Sequence, residues 1–207
     1  MPSSSSHVRR SAVLLAAAAA AAVVALTGVT GCGSSGSGNG TAAAAVTTSL
    51  DPAAAAQQDA VFATAMIEHH HQTLQLVGLA AVHAENPAIL SYAGELQTLH
   101  DTQMGELSDM MTGWGKTPPH IEGHTDLGDS IPGLLDKAQL ASLTASPPAA
   151  FEKTFLATLI AHQAKALPIA RQEIELGGDG QAKAYAQKIV DDVNGHLEAL
   201  EVLSRPG

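Results

Sequence analysis

The chain has 207 residues, with 10 Lys and Arg against 20 Asp and Glu, and only 3% of its residues are aromatic. The net charge of −10 argues against a nucleic-acid-binding protein, because neutralising phosphates requires clustered basic side chains. A single cysteine excludes an intrachain disulfide and a cysteine-based zinc cluster. Any metal would therefore be bound by His, Met or carboxylate side chains, and the chain has 10 histidines.

Residues 1–31 have the pattern of a secretory signal peptide. Arg9-Arg10 precede the apolar run from Ser11 to Leu26, which is too short to be a typical membrane-spanning helix. The run leads into Val29-Thr30-Gly31-Cys32, which resembles the lipobox of bacterial lipoproteins. We predict that Cys32 is lipidated and anchors the chain to the outer face of the bacterial cytoplasmic membrane. The alternative is ordinary secretion with an unmodified cysteine.

Residues 32–50 consist mainly of Gly, Ser, Ala and Thr and contain no charged residue, so they are predicted to form a flexible tether. The remaining sequence, residues 51–205, is predicted to be one folded domain that contains an internal repeat. The two copies are offset by 93 positions, and they align without a gap. Residues that coincide at this offset include Phe62 with Phe155, Ile67 with Ile160, His69 with His162, and Tyr92 with Tyr185.

Each copy is predicted to be a helical hairpin, at residues 51–114 and 148–205, because apolar residues recur three and four positions apart. In the second helix the predicted apolar stripe passes through Leu96, Leu99 and Gln103. Pro168 is expected to kink the third helix one to two turns after His162. The helices are expected at about Pro52 to Ala84, Pro87 to Gly113, Pro148 to Leu176, and Gln181 to Ser204.

Residues 115–147 are rich in Gly, Pro, Asp and Ser and are predicted to be a crossover linker between the hairpins, with one short helix at about Gly133 to Leu143. His120 and His124 in this linker are expected to be exposed. Two hairpins joined in this way predict an all-α fold, a four-helix bundle built from two repeated hairpins.

Polar side chains interrupt the apolar stripes at matching places in the four helices. These residues are His69, Gln103, His162 and His196. A buried imidazole without a partner costs about 1 to 3 kcal/mol, so the histidines are expected to bond to one another or to bind a metal ion.

Two further side chains of the first helix reach the same point, Met66 one turn before His69 and His70 immediately after it. Thioether and imidazole donors suit copper or another late first-row ion better than calcium or magnesium. The alternatives are that Met66 fills the core and that His70 or His71 is solvated. His83 and His100 are expected to be peripheral. The predicted metal ligands are thus Met66, His69, His70, His162 and His196.

No catalytic group of residues is found, so an enzyme is not predicted. A di-iron carboxylate bundle needs two Glu-x-x-His elements, and only Glu68 with His71 satisfies that spacing. A phosphate-binding glycine loop and a serine nucleophile motif are also missing from the sequence. A metal-dependent oxidase is a third, weaker interpretation.

The motifs that contain these residues resemble the domain of unknown function 305 family of secreted bacterial proteins. The resemblance implies a ferritin-like four-helix bundle, an envelope or periplasmic location, and a role in binding copper or related metals. It extends over about Asp51 to Leu203 and places Met66, His69, His70 and His162 on motif positions. The motifs are Asp59-x-x-Phe62-x-x-x-Met66-Ile67-x-His69-His70, Gln103-x-x-Glu106-Leu107-x-x-Met110, and Phe151-Glu152-x-x-Phe155-Leu156-x-x-Leu159-Ile160-x-His162.

The chain departs from the family pattern at Leu76, Leu159, Gln163 and Pro168. The first three remove a potential ligand, and the proline disturbs the helix that presents one. We expect His196 to compensate for one loss. Two interpretations follow, a site of lower affinity or a vestigial site.

The sequence therefore predicts an envelope-anchored lipoprotein that binds a transition metal ion, copper foremost and zinc as the other candidate, for sequestration or delivery. Its expected partners are the metal ion and, through the lipid anchor, the membrane; its protein partner is unknown. The alternative is a non-metal interaction module of the envelope, whose acidic first hairpin docks a basic partner.

Overall fold

A computed structural model describes residues 51–120 and 134–205. The predicted signal peptide, the lipidation site Cys32, the tether and His124 lie outside the described residues. Within them the secondary structure is entirely helical, which confirms the all-α prediction, and no described helix has the length and apolar character to cross a membrane. The helices are α1 Pro52–His83, α2 Pro87–Gly113, α3 Lys137–Thr144, α4 Pro148–Gln163, α5 Ala166–Leu176 and α6 Gly180–Leu203.

Three of the long helices begin at a polar side chain that caps the first turn. The Asp51 carboxylate accepts from the N–H of Ala53, and the Asn86 side chain accepts from the N–H of Ala88. In both cases a proline follows at the first helical position, where its missing N–H costs nothing. Asp179 caps α6 in the same way. The caps at Asn86 and Asp179 lie in the turns of the two hairpins, so the second helix of each hairpin begins at a position that the local sequence determines.

The third predicted helix is broken into α4 and α5. Ala164 and Lys165 form a turn in which the N–H of Lys165 bonds to the carbonyl of His162 at 2.9 Å. Pro168 has no N–H to donate to the carbonyl of Ala164, so the helical ladder is interrupted on the N-terminal side of the proline. The prediction placed the kink one to two turns beyond His162; the structure places the break directly after Gln163.

The four long segments α1, α2, α4 with α5, and α6 form a four-helix bundle, as predicted. Helix α1 packs against α2, α4 and α5, while α6 packs against α5, α4 and α2. Helix α3, which begins four residues later than predicted, packs on α4 and buries Leu143. The amide of Gln72 bonds to both backbone groups of Leu135, at 2.6 and 2.7 Å, and so fastens the segment before α3 to α1.

The bundle has two apolar clusters with polar residues between them. Along α1, the first apolar cluster takes residues from Phe62 to Ile67 and the second takes residues from Leu76 to Ala80. His69 and His70 lie between these stretches. In the other three segments, polar residues likewise lie between the residues of the two clusters. The buried or half-buried polar residues between the clusters include Gln72, Thr73, His100, Gln103, His162, Gln163 and His196.

The internal repeat is visible in the hydrogen bonds at the hairpin turns. Asp59 on α1 and Glu152 on α4 are equivalent positions, and each carboxylate accepts from two successive N–H groups of the opposite hairpin's turn. These N–H groups are also equivalent in the repeat. The bonds run from Gly178 (2.8 Å) and Asp179 (3.1 Å) to Asp59, and from Glu85 (2.8 Å) and Asn86 (2.6 Å) to Glu152.

Candidate metal centre

Five histidines from four segments of the bundle meet in the polar region between the apolar clusters. We call them, together with Gln163, the histidine layer. The rings contact one another in a continuous series. The ring centroids are 4.1 Å apart for His69 and His162, 5.9 Å for His69 and His70, 4.4 Å for His70 and His100, and 6.1 Å for His100 and His196.

The layer is closed to solvent on most sides. Four of the five histidines are no more than 2% exposed, and His196 on α6 is half-buried. Many of their ring nitrogens are buried without a hydrogen-bond partner. Such atoms are rare in native proteins and mark sites where a ligand, an ion or a catalytic role has to be considered. These nitrogens are both of His69, both of His70, Nδ1 of His100, Nδ1 of His162 and Nε2 of His196.

Burial keeps the rings neutral at pH 7. The pKa of His162 is lowered to about 4 by burial, and that of His100 to about 3 by burial and then by His196 and His162. Burial also lowers the pKa of His69 and His70 well below the usual value, and that of His196 to a smaller extent. A neutral imidazole has one nitrogen with a free lone pair, the form that binds metal ions.

His162 shows which of its nitrogens is free. Its Nε2 lies 3.3 Å from the backbone carbonyl of His69. A carbonyl only accepts, so Nε2 carries the proton and Nδ1 carries the lone pair. Metal-bound histidines commonly donate their second ring nitrogen to a carbonyl or carboxylate in this way, which fixes the ring for the metal.

Gln163 occupies the position equivalent to His70 in the repeat. Its side-chain nitrogen lies 3.1 Å from Nε2 of His100, and the residue is fully buried. The amide thus contacts His100, which contacts His70. At this position, where the sequence analysis noted a departure from the family pattern, the layer therefore contains an amide instead of an imidazole ring.

The rings as they stand do not converge on one point. His69 and His162 are stacked, with an angle of only 5° between their planes. The lone pair of an imidazole nitrogen lies in the ring plane, and a metal ion about 2.0–2.1 Å from each nitrogen cannot lie in both of two parallel ring planes at once. Accordingly, no three His, Cys, Asp or Glu side chains of the described residues are already arranged around a metal position. The donor types fit a late transition ion, and a site that uses both His69 and His162 requires one of these stacked rings to rotate.

The structure brings together four of the five predicted ligands, His69, His70, His162 and His196. Met66 is fully buried and belongs to the first apolar cluster.

The prediction that His100 is peripheral is wrong, since the residue is only 2% exposed and lies within the layer. The predicted stripe of α2 ran through Leu99, whereas the buried positions are Leu96, His100 and Gln103. A spacing of three and four residues between apolar positions is compatible with a stripe through Leu99 and with one through His100. His83, in contrast, lies at the end of α1 and is half-buried beside Phe151, at a centroid distance of 5.1 Å.

These features define a class of protein, an all-α four-helix bundle made of two repeated hairpins around a buried layer of histidines. The chain belongs to the family described as domain of unknown function (DUF305), whose model matches residues 59–203. A search of curated proteins gives no significant match.

Three solved structures share the fold. A DUF305 fragment from Deinococcus radiodurans has a TM-score of 0.64 at 23% identity, and the match covers 72% of this chain and 97% of that one. A DUF305 protein from Streptomyces coelicolor, assigned as secreted, has a TM-score of 0.62 at 19% identity and covers 70% and 89%. CopM in its Cu(II)-bound form has a TM-score of 0.60 at 17% identity and covers 70% and 95%.

Proposed function

We propose that this protein binds a late transition metal ion, copper foremost and zinc as the other candidate, in its histidine layer. The observation that carries the proposal is the set of buried ring nitrogens that lack hydrogen-bond partners. Each such group costs about 1 to 3 kcal/mol of folding free energy, and a bound metal ion would offset that cost.

The chemistry of the layer limits the choice of ion. Its donors are imidazoles, and the carboxylates that calcium and magnesium require are not among them. His69, His70, His100, His162 and His196 would hold the ion, with Met66 as the further ligand suggested by the sequence. The related fold of CopM, solved with Cu(II), supports copper over other ions.

We propose binding for sequestration or delivery, without catalysis. A metal enzyme needs an open coordination position that a substrate can reach. In the layer only His196 has appreciable exposure, while the other four histidines are almost completely buried. That arrangement favours retention of an ion over turnover of a substrate.

The proposed location is the cell envelope, with a lipid anchor at Cys32. The lipobox resemblance supports the anchor, and the Streptomyces coelicolor relative supports a location outside the cytoplasm. Labelling with a fatty acid analogue, followed by recovery of the membrane fraction, tests the anchor. A Cys32→Ala variant should lose both the label and the membrane association.

Thermal unfolding with and without Cu(II) or Zn(II) tests the proposed function. An ion at 100 times its Kd should add about 2.7 kcal/mol to the free energy of unfolding, so Tm should rise. The double variant His69→Leu with His162→Leu should lose this shift. Without metal it should be as stable as the original chain or more so, because it removes buried unpaired nitrogens.

His120→Ala is the control, since His120 is exposed and lies outside the layer. It should keep the full metal-dependent shift. Elemental analysis of protein purified from its native envelope without a histidine tag then identifies the ion. The proposal is wrong if neither ion raises Tm and the native protein contains no transition metal.

We propose a basic protein partner as the second candidate function, because the structure contains an acidic cleft of about 730 Å³ between α2 and α6. Glu106, Asp109 and Asp179 line the cleft together with one cation, Lys188, which pairs with Asp192. Trp114 and Tyr185 add aromatic surface. Capture of a basic envelope protein tests this function. Binding should weaken as the salt concentration rises, and chelators should not affect it. Loss of binding in the double variant Glu106→Gln with Asp109→Asn would favour this function over metal binding.

A further inference from the structure

Tyr92 on α2 joins the histidine layer from the side where the layer is least buried. Its hydroxyl oxygen lies 3.1 Å from Nδ1 of His196 and 3.4 Å from the backbone carbonyl oxygen of the same residue. Tyr92 is itself half-buried, and its ring meets that of His196 edge to face at 6.2 Å. One side chain thus contacts both the ring and the backbone of His196.

The number of hydrogens available decides which tautomer of His196 satisfies both contacts. The tyrosine hydroxyl has one hydrogen to donate, and the carbonyl can only accept. If Nδ1 carries a proton, the hydroxyl donates to the carbonyl and accepts from Nδ1, so both bonds form. If Nδ1 carries the lone pair, the carbonyl and the ring compete for the single hydroxyl hydrogen, and one bond is lost.

The other nitrogen of His196 agrees with this choice. Nε2 is buried and has no hydrogen-bond partner, so a proton there would be a buried donor without an acceptor. With the proton on Nδ1, Nε2 carries a lone pair. The ring lies next to His100, 6.1 Å away between centroids, so Nε2 belongs to the layer.

We infer that Tyr92 is a positioning residue of the histidine layer. It holds His196 as the Nδ1–H tautomer and so leaves the Nε2 lone pair available to a ligand in the layer. The role in metal binding rests on the proposed function, whereas the tautomer itself does not. His162 is oriented by the same principle through the carbonyl of His69.

The repeat supplies a matched control for Tyr92. Tyr185 is its equivalent on α6, and its hydroxyl bonds to Glu106 at 2.7 Å and lies 3.4 Å from the carbonyl of Gln103. Gln103 is in turn the equivalent of His196. Both tyrosines therefore contact the same backbone position of the opposite hairpin, and only Tyr92 has an imidazole to orient.

The first test is the tautomer in metal-free protein at pH 7.5, measured by long-range proton–nitrogen NMR of ¹⁵N-labelled histidines. The His196 signals are assigned by their loss in His196→Gln. We expect the Nδ1–H form in the original chain and in Tyr185→Phe, and partial or full conversion to Nε2–H in Tyr92→Phe. An Nε2–H form in the original chain, or no change in Tyr92→Phe, would overturn the inference.

The second test is the affinity for Cu(II) and Zn(II), measured by titration of the same variants. Tyr92→Phe should weaken binding about 10- to 100-fold, the usual effect of losing a residue that orients a metal-bound histidine, and Tyr185→Phe should weaken it less than about twofold. If the NMR test gives the expected tautomers but the titration detects no metal binding, the proposed function is overturned and the positioning of His196 by Tyr92 is not. Metal binding that Tyr92→Phe leaves unchanged would overturn the role of Tyr92 alone.

Discussion

The two halves of the repeat share their frame and differ in the side chains at the centre. Asp59 and Glu152 cap the opposite turns through equivalent bonds. In the histidine layer, however, the equivalent of His70 is Gln163, and the equivalent of His100 is Val193. The hydrogen bonds that hold the hairpins together are thus retained in both halves, while the residues with metal-binding chemistry have diverged.

A second difference lies near the turn between α5 and α6. Glu173 is fully buried, whereas its equivalent in the first half is Ala80. Burial, and after it the neighbouring Asp59 carboxylate, raise the pKa of Glu173 to about 8. The second half therefore carries a pH-sensitive group in a place where the first half is apolar.

The largest expected effect comes from removing the turn caps. Asp59→Ala leaves the N–H groups of Gly178 and Asp179 without their acceptor inside the protein, and Asp59 itself is only 5% exposed. We expect a loss of about 1 to 3 kcal/mol in the free energy of unfolding, measured with urea, because these part-buried N–H groups lose a carboxylate acceptor at a place that water reaches poorly.

Glu152→Ala is the matched variant in the other half. Its carboxylate accepts hydrogen bonds from the N–H groups of Glu85 and Asn86 in an exposed turn, where water can replace the carboxylate as the acceptor. The expected loss is about 1 kcal/mol or less. Equal losses for the two variants would show that the halves do not differ in how deeply their turns are buried.

Replacing Glu173 by Gln should change how stability depends on pH. In the unfolded chain Glu173 ionises near 4.5, and in the folded protein only near 8. Between these values unfolding releases a proton, so the contribution of Glu173 to the free energy of unfolding falls as the pH rises. Glu173→Gln should therefore be more stable than the original chain at pH 8, by about 1 kcal/mol or more, with little difference at pH 4.

Urea unfolding of both proteins at pH 4, 6 and 8 measures this difference. Glu175→Gln is the control, because Glu175 is exposed on the same helix. It should leave the pH profile unchanged. A Glu173→Gln curve that runs parallel to that of the original chain would rule out an uncharged Glu173 in the native state.

A modest effect on metal binding is expected from restoring the symmetry of the layer with Gln163→His. A sixth imidazole next to His100 should strengthen Cu(II) binding about fivefold, which corresponds to about 1 kcal/mol. Isothermal titration of the variant and the original chain measures this change. A weaker affinity in the variant would mean that Gln163 supports the layer better than the histidine of the family pattern does.

Much of the fold could be predicted because its determinants are local. The periodic apolar positions define the helices over short stretches of sequence, and the 93-position repeat shows that they form two equivalent hairpins. The position of the break after Gln163 could not be derived in the same way. A proline removes one backbone hydrogen bond of the helix, and tertiary packing determines how many residues before the proline the helix breaks.

The histidine layer could be predicted in part. The stripe positions of His69, His162 and His196 revealed those residues, and the adjacent His70 followed from them. His100 was missed because its helix admits two apolar stripes one residue apart, through Leu99 or through His100. The repeat does not resolve this ambiguity, since the equivalent of His100 is Val193.

The polar layer between two apolar clusters has a consequence for how the helices align. If α6 slid along its neighbours by one turn, His196 would face an apolar cluster and Leu200 would enter the polar layer. Both shifts are unfavourable, because each puts a side chain against surroundings of the opposite polarity. The polar layer thus specifies one axial register of the helices, whereas Ala-rich helices without such a layer would pack in several registers.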